Sequence, residues 1–288
     1  MKALREIVAD GIVLVEYGPM RMMIHAFEHG RPLVHLAQEG ARQAIKVLED
    51  LAKFLPLIKK KAQQIELDER FPDVVWRMVE ATQRMGEPDL TPLAAVAGAA
   101  SDVVADSMIQ LGGTKIIVDN GGDIAIRLTE GEMVRVGVKT EINAKNPTYV
   151  IAIDASTGIG GVATSGLGGR SFTKGIASAV TILSASASLS DSAATVVGNF
   201  TNVDDPAIMR TLAEKVYPET DIPGEWVTAG VGNLPREKAE EALMNGLLKA
   251  DSLYRKGLIE GAFIALKDRV VFTDFLKSRL RPLQGQGK

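Results

Sequence analysis

Two short apolar runs flank a glycine turn in the stretch KIIVDNGGDIAIRL, residues 115–128. Residues 115–119 and 124–128 are rich in isoleucine and valine, which favour β-strands. The turn between them reads NGGD, and its asparagine and glycines accept positive φ at low cost, as hairpin turns require. The stretch therefore predicts two strands joined by a tight turn.

Runs of strands and runs of helices extend outward from this stretch. Apolar runs predict further strands at 12–17, 20–27, 133–138, 149–154, 161–165 and 176–184, and a closing hairpin at 258–266 and 270–275. Helical spacing predicts helices at 37–66 with a break near Pro56, at 72–85, 91–111, 188–199 and 236–256, and after Pro206. Such runs are typical of an α+β fold with a largely antiparallel sheet covered by helices. We expect one domain over residues 1–276, or two closely packed halves, followed by a basic, flexible tail over residues 277–288.

The composition is that of an ordinary globular protein. Its 288 residues are 46% hydrophobic and 24% charged, and the formal net charge of −3 gives no reason to expect a nucleic-acid partner. The chain has no cysteine, so any metal has to be held by oxygen or imidazole, and a cytoplasmic location is favoured. No apolar run suggests a signal peptide or a membrane segment. A homo-oligomer is compatible with the sequence, which does not determine an oligomeric state.

The glycine turn offers groups that a ligand could use. Gly121 and Gly122 leave backbone amides open to close approach, Asn120 supplies a donor and an acceptor, and Asp123 could orient a ribose or a base edge. Ordinary turn chemistry explains the same residues equally well, so the turn alone does not decide between the two interpretations.

A glycine-rich segment at residues 157–170 is the second candidate. The backbone amides around Gly166, the hydroxyls of Thr164 and Ser165, and the guanidinium of Arg170 form the kind of set that binds a pyrophosphate. The segment lacks the Gly-Lys-Ser/Thr ending of a Walker loop and the context of a Rossmann fingerprint. A flexible loop or tight strand packing would also require glycine.

Asp191 and Thr195 lie four residues apart in a predicted helix. Both oxygens would then lie on one helix face, one turn apart, where they could share a hard cation. Mg²⁺ accepts few protein ligands, so these two oxygens, a backbone carbonyl and a nucleotide would suffice. Alternatively, Asp191 only complements the dipole of the helix start.

The order of these three elements, over about residues 93–199, resembles the ApbE-type flavin transferase superfamily. The chain is most similar to the shorter, uncharacterised branch of that superfamily. The transferases move the FMN part of FAD onto a hydroxyl of a target protein and use Mg. The resemblance therefore implies a T-fold-like α+β architecture, a nucleotide-like ligand such as FAD or FMN, and Mg at Asp191 and Thr195.

Two departures from the transferase pattern affect the chemistry. The transferases carry a His-x-x-x-Pro-x-Thr-Gly segment where this chain has only RSFTKG, residues 170–175, so the family's catalytic histidine has no counterpart. A lysine position of the transferases is here Asp102. Arg170, Lys174 and Asp102 remain as catalytic candidates, while the three histidines, at 25, 29 and 35, are interpreted as surface or turn residues.

These residues support two functional hypotheses. The first is a diverged, Mg-dependent flavin or nucleotide transferase or hydrolase, in which Arg170 or Lys174 stabilises developing phosphate charge. The second is a non-catalytic binding or assembly protein that keeps the glycine motifs as a relic of the fold. The family's occurrence in methanogens and sulfate reducers suggests a context in anaerobic sulfur or homocysteine metabolism.

Overall fold

The computed structural model describes residues 3–283 of the chain. The chain divides into two compact units. The first comprises Met1–Met133, Asp154–Ala163 and Leu183–Ser192, and the second comprises Val134–Ile153, Thr164–Ile182 and Ala193–Lys288. Each unit combines strands with covering helices.

The described strands are β1 (Leu4–Ala9), β2 (Ile12–Tyr17), β3 (Met20–Glu28), β4 (Arg31–Pro32), β5 (Lys115–Asp119), β6 (Ile124–Leu128), β7 (Met133–Val138), β8 (Tyr149–Asp154), β9 (Gly161–Ser165), β10 (Ala179–Ser184), β11 (Ile208–Leu212), β12 (Trp226–Val231), β13 (Gly261–Leu266), β14 (Arg269–Phe272) and β15 (Leu280–Pro282). The α-helices are α1 (Val34–Lys53), α2 (Leu55–Ile58), α3 (Asp73–Met85), α4 (Val96–Gln110), α5 (Ala187–Phe200), α6 (Ala213–Val216), α7 (Arg236–Arg255) and α8 (Asp274–Lys277).

In the first unit, an antiparallel sheet has the strand order β1-β2-β3-β5-β6-β9. Helices α1 and α4 contact this sheet and each other, and α3 contacts α4. The two sheet-covering helices approach closely at Gly40, where an added Cβ would lie 2.5 Å from Met108 Sδ. The helices thus shield an apolar sheet face from water, which is the main source of stability in such a layer.

In the second unit, β10 neighbours β13, and β13 pairs with β14 in antiparallel register. Every residue of β10 and β13 is buried. Helix α7 covers β13, and its Gly246 lies so close to Thr201 that an added Cβ would be 2.2 Å from the Oγ1 atom. A three-stranded sheet of order β15-β8-β7 and the antiparallel pair β11-β12 complete the unit.

The predicted fold class is confirmed: this is an α+β protein with a largely antiparallel sheet covered by helices. The predicted long helix over residues 37–66 ends at Lys53, and a short helix with Pro56 near its start follows. The helix predicted after Pro206 is wrong, because residues 208–212 form strand β11, which pairs with β12. The alternation Ile-Met-Arg-Thr-Leu suits a half-buried strand, and this pattern prevails over the helix-start signal of Asp-Pro.

The expected flexible tail is corrected over its described part. Leu280–Pro282 forms the strand β15, which pairs with Tyr149–Ile151 of β8. Pro282 is tolerated there because β15 is an edge strand, where a missing backbone donor costs little. Residues 284–288 lie outside the described part of the chain.

One stretch, Pro92–Gln110, is long and apolar enough to cross a membrane by length and composition alone. Of its most apolar window, 56% is buried inside the protein, and core helices of soluble proteins pass the same test.

Candidate functional site

The turn of residues 120–123 lies against the first turn of α4. Gly121 and Gly122 have φ of 76° and 108°, which only glycine adopts without strain. Asn120 Nδ2 donates to Ala97 O at 3.4 Å, and Ser101 Oγ donates to the carbonyl oxygen of Asp123 at 2.9 Å. An added Cβ on Gly122 would meet nothing within 4 Å. The Gly122 N–H donates to Asp119 Oδ1 at 2.8 Å, so the turn is held by its polar ends and by this amide, while the space beside Gly122 is open to a ligand.

Asp191 contacts the same segment of α4. The backbone N–H of Gly98 donates to Asp191 Oδ2 at 2.9 Å. An added Cβ on Gly98 would lie 2.2 Å from Ala187 O and 2.9 Å from Asp191 Cβ, so this close approach requires glycine. Within the first unit, the Asn120 and Asp191 side chains therefore meet at Ala97–Gly98.

Among the described residues, no positive charge compensates the Asp191 carboxyl. The residue keeps some exposed surface, but burial of the carboxyl raises its pKa to about 7. Hydrogen bonds from the Gly98 and Ala97 amides lower the pKa, and the nearby Asp102 raises it. No lysine or arginine among residues 3–283 forms an ion pair with Asp191. A bound cation would supply the charge compensation that the described chain does not.

Asp102 is placed by the structure in a supporting role. Its side chain is fully buried, and both carboxylate oxygens accept hydrogen bonds from the chain itself. Oδ1 accepts from Arg127 Nη2 at 2.9 Å and from the amide of Ala187 at 3.0 Å, while Oδ2 accepts from the amide of Ser188 at 2.8 Å. Asp102 thus caps the start of α5 from another helix. We assign it no acid–base role.

The sequence marks Asp102 as a catalytic candidate and does not predict this cap. Asp106 lies one turn further along α4. Both carboxylates bind Arg127, whose Nε donates to Asp106 Oδ1 at 2.6 Å. The available signal was the position of Asp102 within the apolar run AVAGAASDVVA, residues 95–105, where a carboxylate needs a partner.

Thr195 follows Asp191 by one turn of α5, as predicted. It is half-buried, and its hydroxyl forms no hydrogen bond with another described residue. Residues 3–283 contain no group of three or more His, Cys, Asp or Glu side chains that could hold a metal ion. A cation at the Asp191–Thr195 pair would therefore complete its shell with backbone, water or ligand oxygens, which Mg²⁺ readily accepts.

In the second unit, the segment of residues 164–170 combines one bonded hydroxyl with open groups. Thr164 Oγ1 and Thr181 Oγ1 are 2.9 Å apart and share a hydrogen bond. Gly166 passes so close to Ser178 that an added Cβ would lie 2.8 Å from its carbonyl oxygen. Ser165 is half-buried and Arg170 is exposed, and neither side chain forms a hydrogen bond or ion pair within the described chain.

Lys174 is held firmly within the second unit. Its Nζ pairs with Glu225 Oε2 at 2.8 Å, and its backbone N–H donates to Asn199 Oδ1 at 2.8 Å. Its carbonyl oxygen accepts from Arg210 Nη1 at 2.9 Å. An added Cβ on the next residue, Gly175, would lie 1.8 Å from Gly198 O. Lys174 therefore anchors the far half of α5, and its charge is already offset.

The histidines lie away from these contacts. His29 and His35 are exposed, as expected, with His29 in a turn at φ 47°. His25 is half-buried in β3, and burial lowers its pKa, an effect that Asp119 partly opposes. No described hydrogen bond links a histidine side chain to the candidate residues.

Comparisons with known proteins agree with the resemblance seen in the sequence. The profile of the family described as AbpE bacteria matches residues 5–272. A UPF0280 protein of Methanosarcina barkeri is 34% identical over 229 residues, which cover 76% of this chain and 87% of the relative. A UPF0280 protein of Methanosarcina acetivorans is 36% identical over 176 residues, covering 59% and 67%.

Two solved structures show weaker likeness. The flavinyl transferase ApbE of Pseudomonas stutzeri has a TM-score of 0.38 at 18% identity, covering 66% of this chain and 50% of that chain. The ApbE protein of Thermotoga maritima has a TM-score of 0.49 at 14% identity, covering 97% and 99%. Neither likeness carries an argument about residues or activity, and this chain spans half the length of the Pseudomonas stutzeri enzyme. On the extent of the profile match and of the Methanosarcina barkeri relative, the chain belongs to the AbpE bacteria family and to the wider ApbE-like superfamily.

Proposed function

We propose that this protein binds a flavin or a related nucleotide diphosphate together with Mg²⁺, in the cytoplasm, as a diverged transferase or hydrolase. The observation that carries the proposal is the Asp191 carboxyl. It is held by the amide of Gly98 at 2.9 Å, lacks a basic partner in the described chain, and shares the Ala97–Gly98 segment with the Asn120 turn. Membership of an ApbE-like family supports the choice of ligand.

The donor set suits Mg²⁺. Asp191 and Thr195 would hold the ion through a carboxylate and a hydroxyl oxygen, both hard ligands. When bound, such an ion polarises a diphosphate. The Asp191 carboxyl, desolvated and without an ion pair among residues 3–283, fits this role, because a cation offsets the cost of keeping it charged.

The ligand contacts are proposed on each unit separately. In the first unit, Asn120, Gly121, Gly122 and Asp123 would contact the nucleotide through the open backbone surface of the turn and its polar side chains, while the Gly122 amide stays bonded to Asp119 Oδ1 at 2.8 Å. In the second unit, Thr164, Ser165 and Gly166 offer hydroxyls and backbone, and Arg170 offers a guanidinium that forms no ion pair within residues 3–283 and is suited to phosphate. Lys174 is less suited, because Glu225 already pairs with its ammonium group.

Ligand-dependent melting tests the proposal. FAD, FMN or ADP with Mg²⁺ should raise the melting temperature, since a ligand at 100 times its Kd adds about 2.7 kcal/mol to the free energy of unfolding. Asp191→Ala should abolish the Mg²⁺-dependent part, and Thr195→Val should weaken it less, because it removes one neutral oxygen. If none of the three ligands at millimolar concentration changes the melting curve or releases heat in calorimetry, the protein is not a nucleotide-binding protein of this kind.

Flavin transfer to a peptide should be absent or very weak. Residues 170–175 contain no histidine to act at the place where the transferases have theirs. Mass spectrometry of an acceptor peptide incubated with the protein, FAD and Mg²⁺ should show an unchanged mass. Robust addition of FMN would mean that another residue performs that role.

A non-catalytic binding or assembly role is the second candidate. It is favoured by one observation: two of the three catalytic candidates, Asp102 and Lys174, are engaged in contacts that hold helix α5. Chromatography of FAD and ADP after long incubation with protein and Mg²⁺ separates the two roles. Slow release of FMN or AMP supports catalysis, whereas intact ligand that nevertheless stabilises the protein supports binding alone.

A further inference from the structure

Helix α4 holds the start of helix α5 at two points. One point involves Asp191, a proposed metal ligand, and the other involves Asp102, which is not a proposed ligand residue. The first point is the amide of Gly98, which donates to Asp191 Oδ2 at 2.9 Å. The second is Asp102, one turn further along α4, whose two oxygens accept from the amides of Ala187 and Ser188. Helix α5 is therefore fixed both at its first amides and at the side chain of Asp191, so it has little freedom to rotate about its own axis.

The second point is itself fixed by an ion pair. Arg127 Nη2 donates to Asp102 Oδ1 at 2.9 Å, and Arg127 Nη1 donates to Gly160 O at 2.9 Å. The Arg127 side chain is 17% exposed and the Asp102 side chain is fully buried, so this pair is shielded from solvent. Because a buried carboxylate with all its hydrogen bonds made is rigid, the orientation of the first α5 turn is tied to strand β6 as well as to α4.

Close backbone approaches leave no room for an alternative placement of this turn. An added Cβ on Gly161 would lie 2.2 Å from the nitrogen of Ala187, and one on Gly98 would lie 2.2 Å from its carbonyl oxygen. The peptide units around Ala187 thus lie in close contact with Gly161 and with Gly98. Because these neighbours leave no free space, even a small rotation of α5 would break the Asp102 contacts.

We propose that Asp102, supported by Arg127, is a positioning residue for Asp191: it sets the rotation of helix α5 so that the Asp191 carboxylate faces its cation. This role rests on the proposed function, because it assumes that Asp191 holds a metal ion. Asp102 itself touches neither metal nor nucleotide in this scheme. Partners that orient metal ligands commonly affect metal affinity about 10- to 100-fold.

Asp106 supplies a matched control. It lies one turn beyond Asp102 on α4, and it also binds Arg127, with Nε to Oδ1 at 2.6 Å, as well as Arg77. No amide of α5 donates to its carboxylate in the described chain. A substitution at Asp106 therefore disturbs the same ion-pair cluster but leaves the grip on α5 in place.

The test compares Asp102→Asn with Asp106→Asn in the full-length protein. Asparagine keeps the shape but turns one acceptor into a donor, which faces the amide of Ala187 or Ser188. The Mg²⁺ concentration for half-maximal stabilisation by ADP should rise about 10- to 100-fold in Asp102→Asn and change little in Asp106→Asn, even where both lower the melting temperature equally. Hydrogen exchange in the ligand-free protein should speed up over residues 187–191 in Asp102→Asn only.

Three outcomes overturn the proposal. Equal Mg²⁺ dependence in the two variants would make Asp102 a merely structural residue. Unchanged exchange over residues 187–191 in Asp102→Asn would show that the carboxylate does not hold the helix start. If wild-type protein does not respond to Mg²⁺ and ADP, the proposed function has failed and the positioning role falls with it.

If Asp102→Asn does not fold, Arg127→Lys replaces it in the test. Lysine keeps the charge but loses the planar guanidinium that bonds several acceptors at once, so the Mg²⁺ concentration for half-maximal stabilisation by ADP should again rise.

Discussion

The start of helix α5 and the segment of residues 164–170 both carry candidate ligand residues, but the protein holds them differently. In the first unit, the amides of Ala187 and Ser188 and the carboxylate of Asp191 are bonded to α4. In the second unit, Arg170 is exposed and makes no hydrogen bond or ion pair within the described chain. The first region is fixed by hydrogen bonds between α4 and α5, whereas in the second region the Arg170 guanidinium is fixed by none within residues 3–283.

This difference has an energetic meaning. Groups that are already fixed can stabilise charge without reorganisation, and their cost has been met during folding. A free arginine loses side-chain entropy when it binds phosphate, roughly 1.5 to 2 kcal/mol, so its net contribution to affinity is smaller but its position adapts to the ligand. We infer that substitutions in the first region act on stability first, whereas those in the second act on affinity alone.

The largest effect is expected at Asp102. Asp102→Ala leaves the Arg127 guanidinium and two backbone amides without their buried acceptor, and breaking such a pair costs about 3–5 kcal/mol of the free energy of unfolding. Arg170→Ala removes an exposed side chain and should stay within about 0.5 kcal/mol. Urea denaturation of both variants measures the contrast. Similar losses in the two variants would contradict it.

Arg170→Ala should change the affinity for ligand strongly, although it is expected to change the free energy of unfolding very little. If this guanidinium binds phosphate, Arg170→Ala removes a charge-assisted hydrogen bond worth about 1.5–3 kcal/mol, or about 10- to 100-fold in the Kd for ADP. Arg135→Ala, which removes an exposed arginine from β7 of the same unit, is the control and should leave the Kd unchanged. Calorimetric titration gives both values. An unchanged Kd in Arg170→Ala would remove residue 170 from the ligand site.

Glycine substitutions compare the packing of the two regions. Gly98→Ala places a Cβ 2.2 Å from a backbone oxygen of Ala187, so α4 and α5 must separate, at about 1–3 kcal/mol. In Gly169→Ala the nearest atoms are Ile142 Cδ1 at 3.1 Å, a flexible side-chain end that can yield, and Gly166 O at 3.2 Å. A shift of a few tenths of an ångström relieves both contacts, and a change within about 0.5 kcal/mol is expected. Thermal and urea unfolding measure both. A mild effect at Gly98 would mean that the start of α5 is less constrained than the hydrogen bonds indicate.

The same contrast explains what the sequence could predict. The hairpin of residues 115–128 and the i, i+4 pair Asp191–Thr195 follow local patterns, and the structure has both the two strands and the helix. The cap by Asp102 depends on amides 85 and 86 residues away, which no local pattern encodes. Strand β11 likewise departs from its local Asp-Pro signal, because its pairing with β12 outweighs that signal. Ligand contacts of Arg170 remain a prediction.

The smallest effect is expected at His25, a titratable group within the first unit's sheet. Burial lowers its pKa below the ordinary value of 6.5, and the charge of Asp119 opposes this only in part. The unfolded chain therefore takes up the proton first as the pH falls. The contribution of neutral His25 to the free energy of unfolding is fully present above about pH 6.5. It is lost progressively below that pH, until the pH passes the folded-state pKa.

The substitution His25→Gln should flatten this part of the pH profile. The free energy of unfolding, measured by urea denaturation between about pH 5 and 8, should fall less steeply on acidification in the variant than in the wild type. His35→Gln removes an exposed imidazole from α1 and serves as the control substitution. A steeper fall in His25→Gln would reverse the sign of the argument. The sheet of the first unit would then stabilise the charged imidazole. A buried site in that unit would accept a charge as readily as the exposed position of Arg170 does.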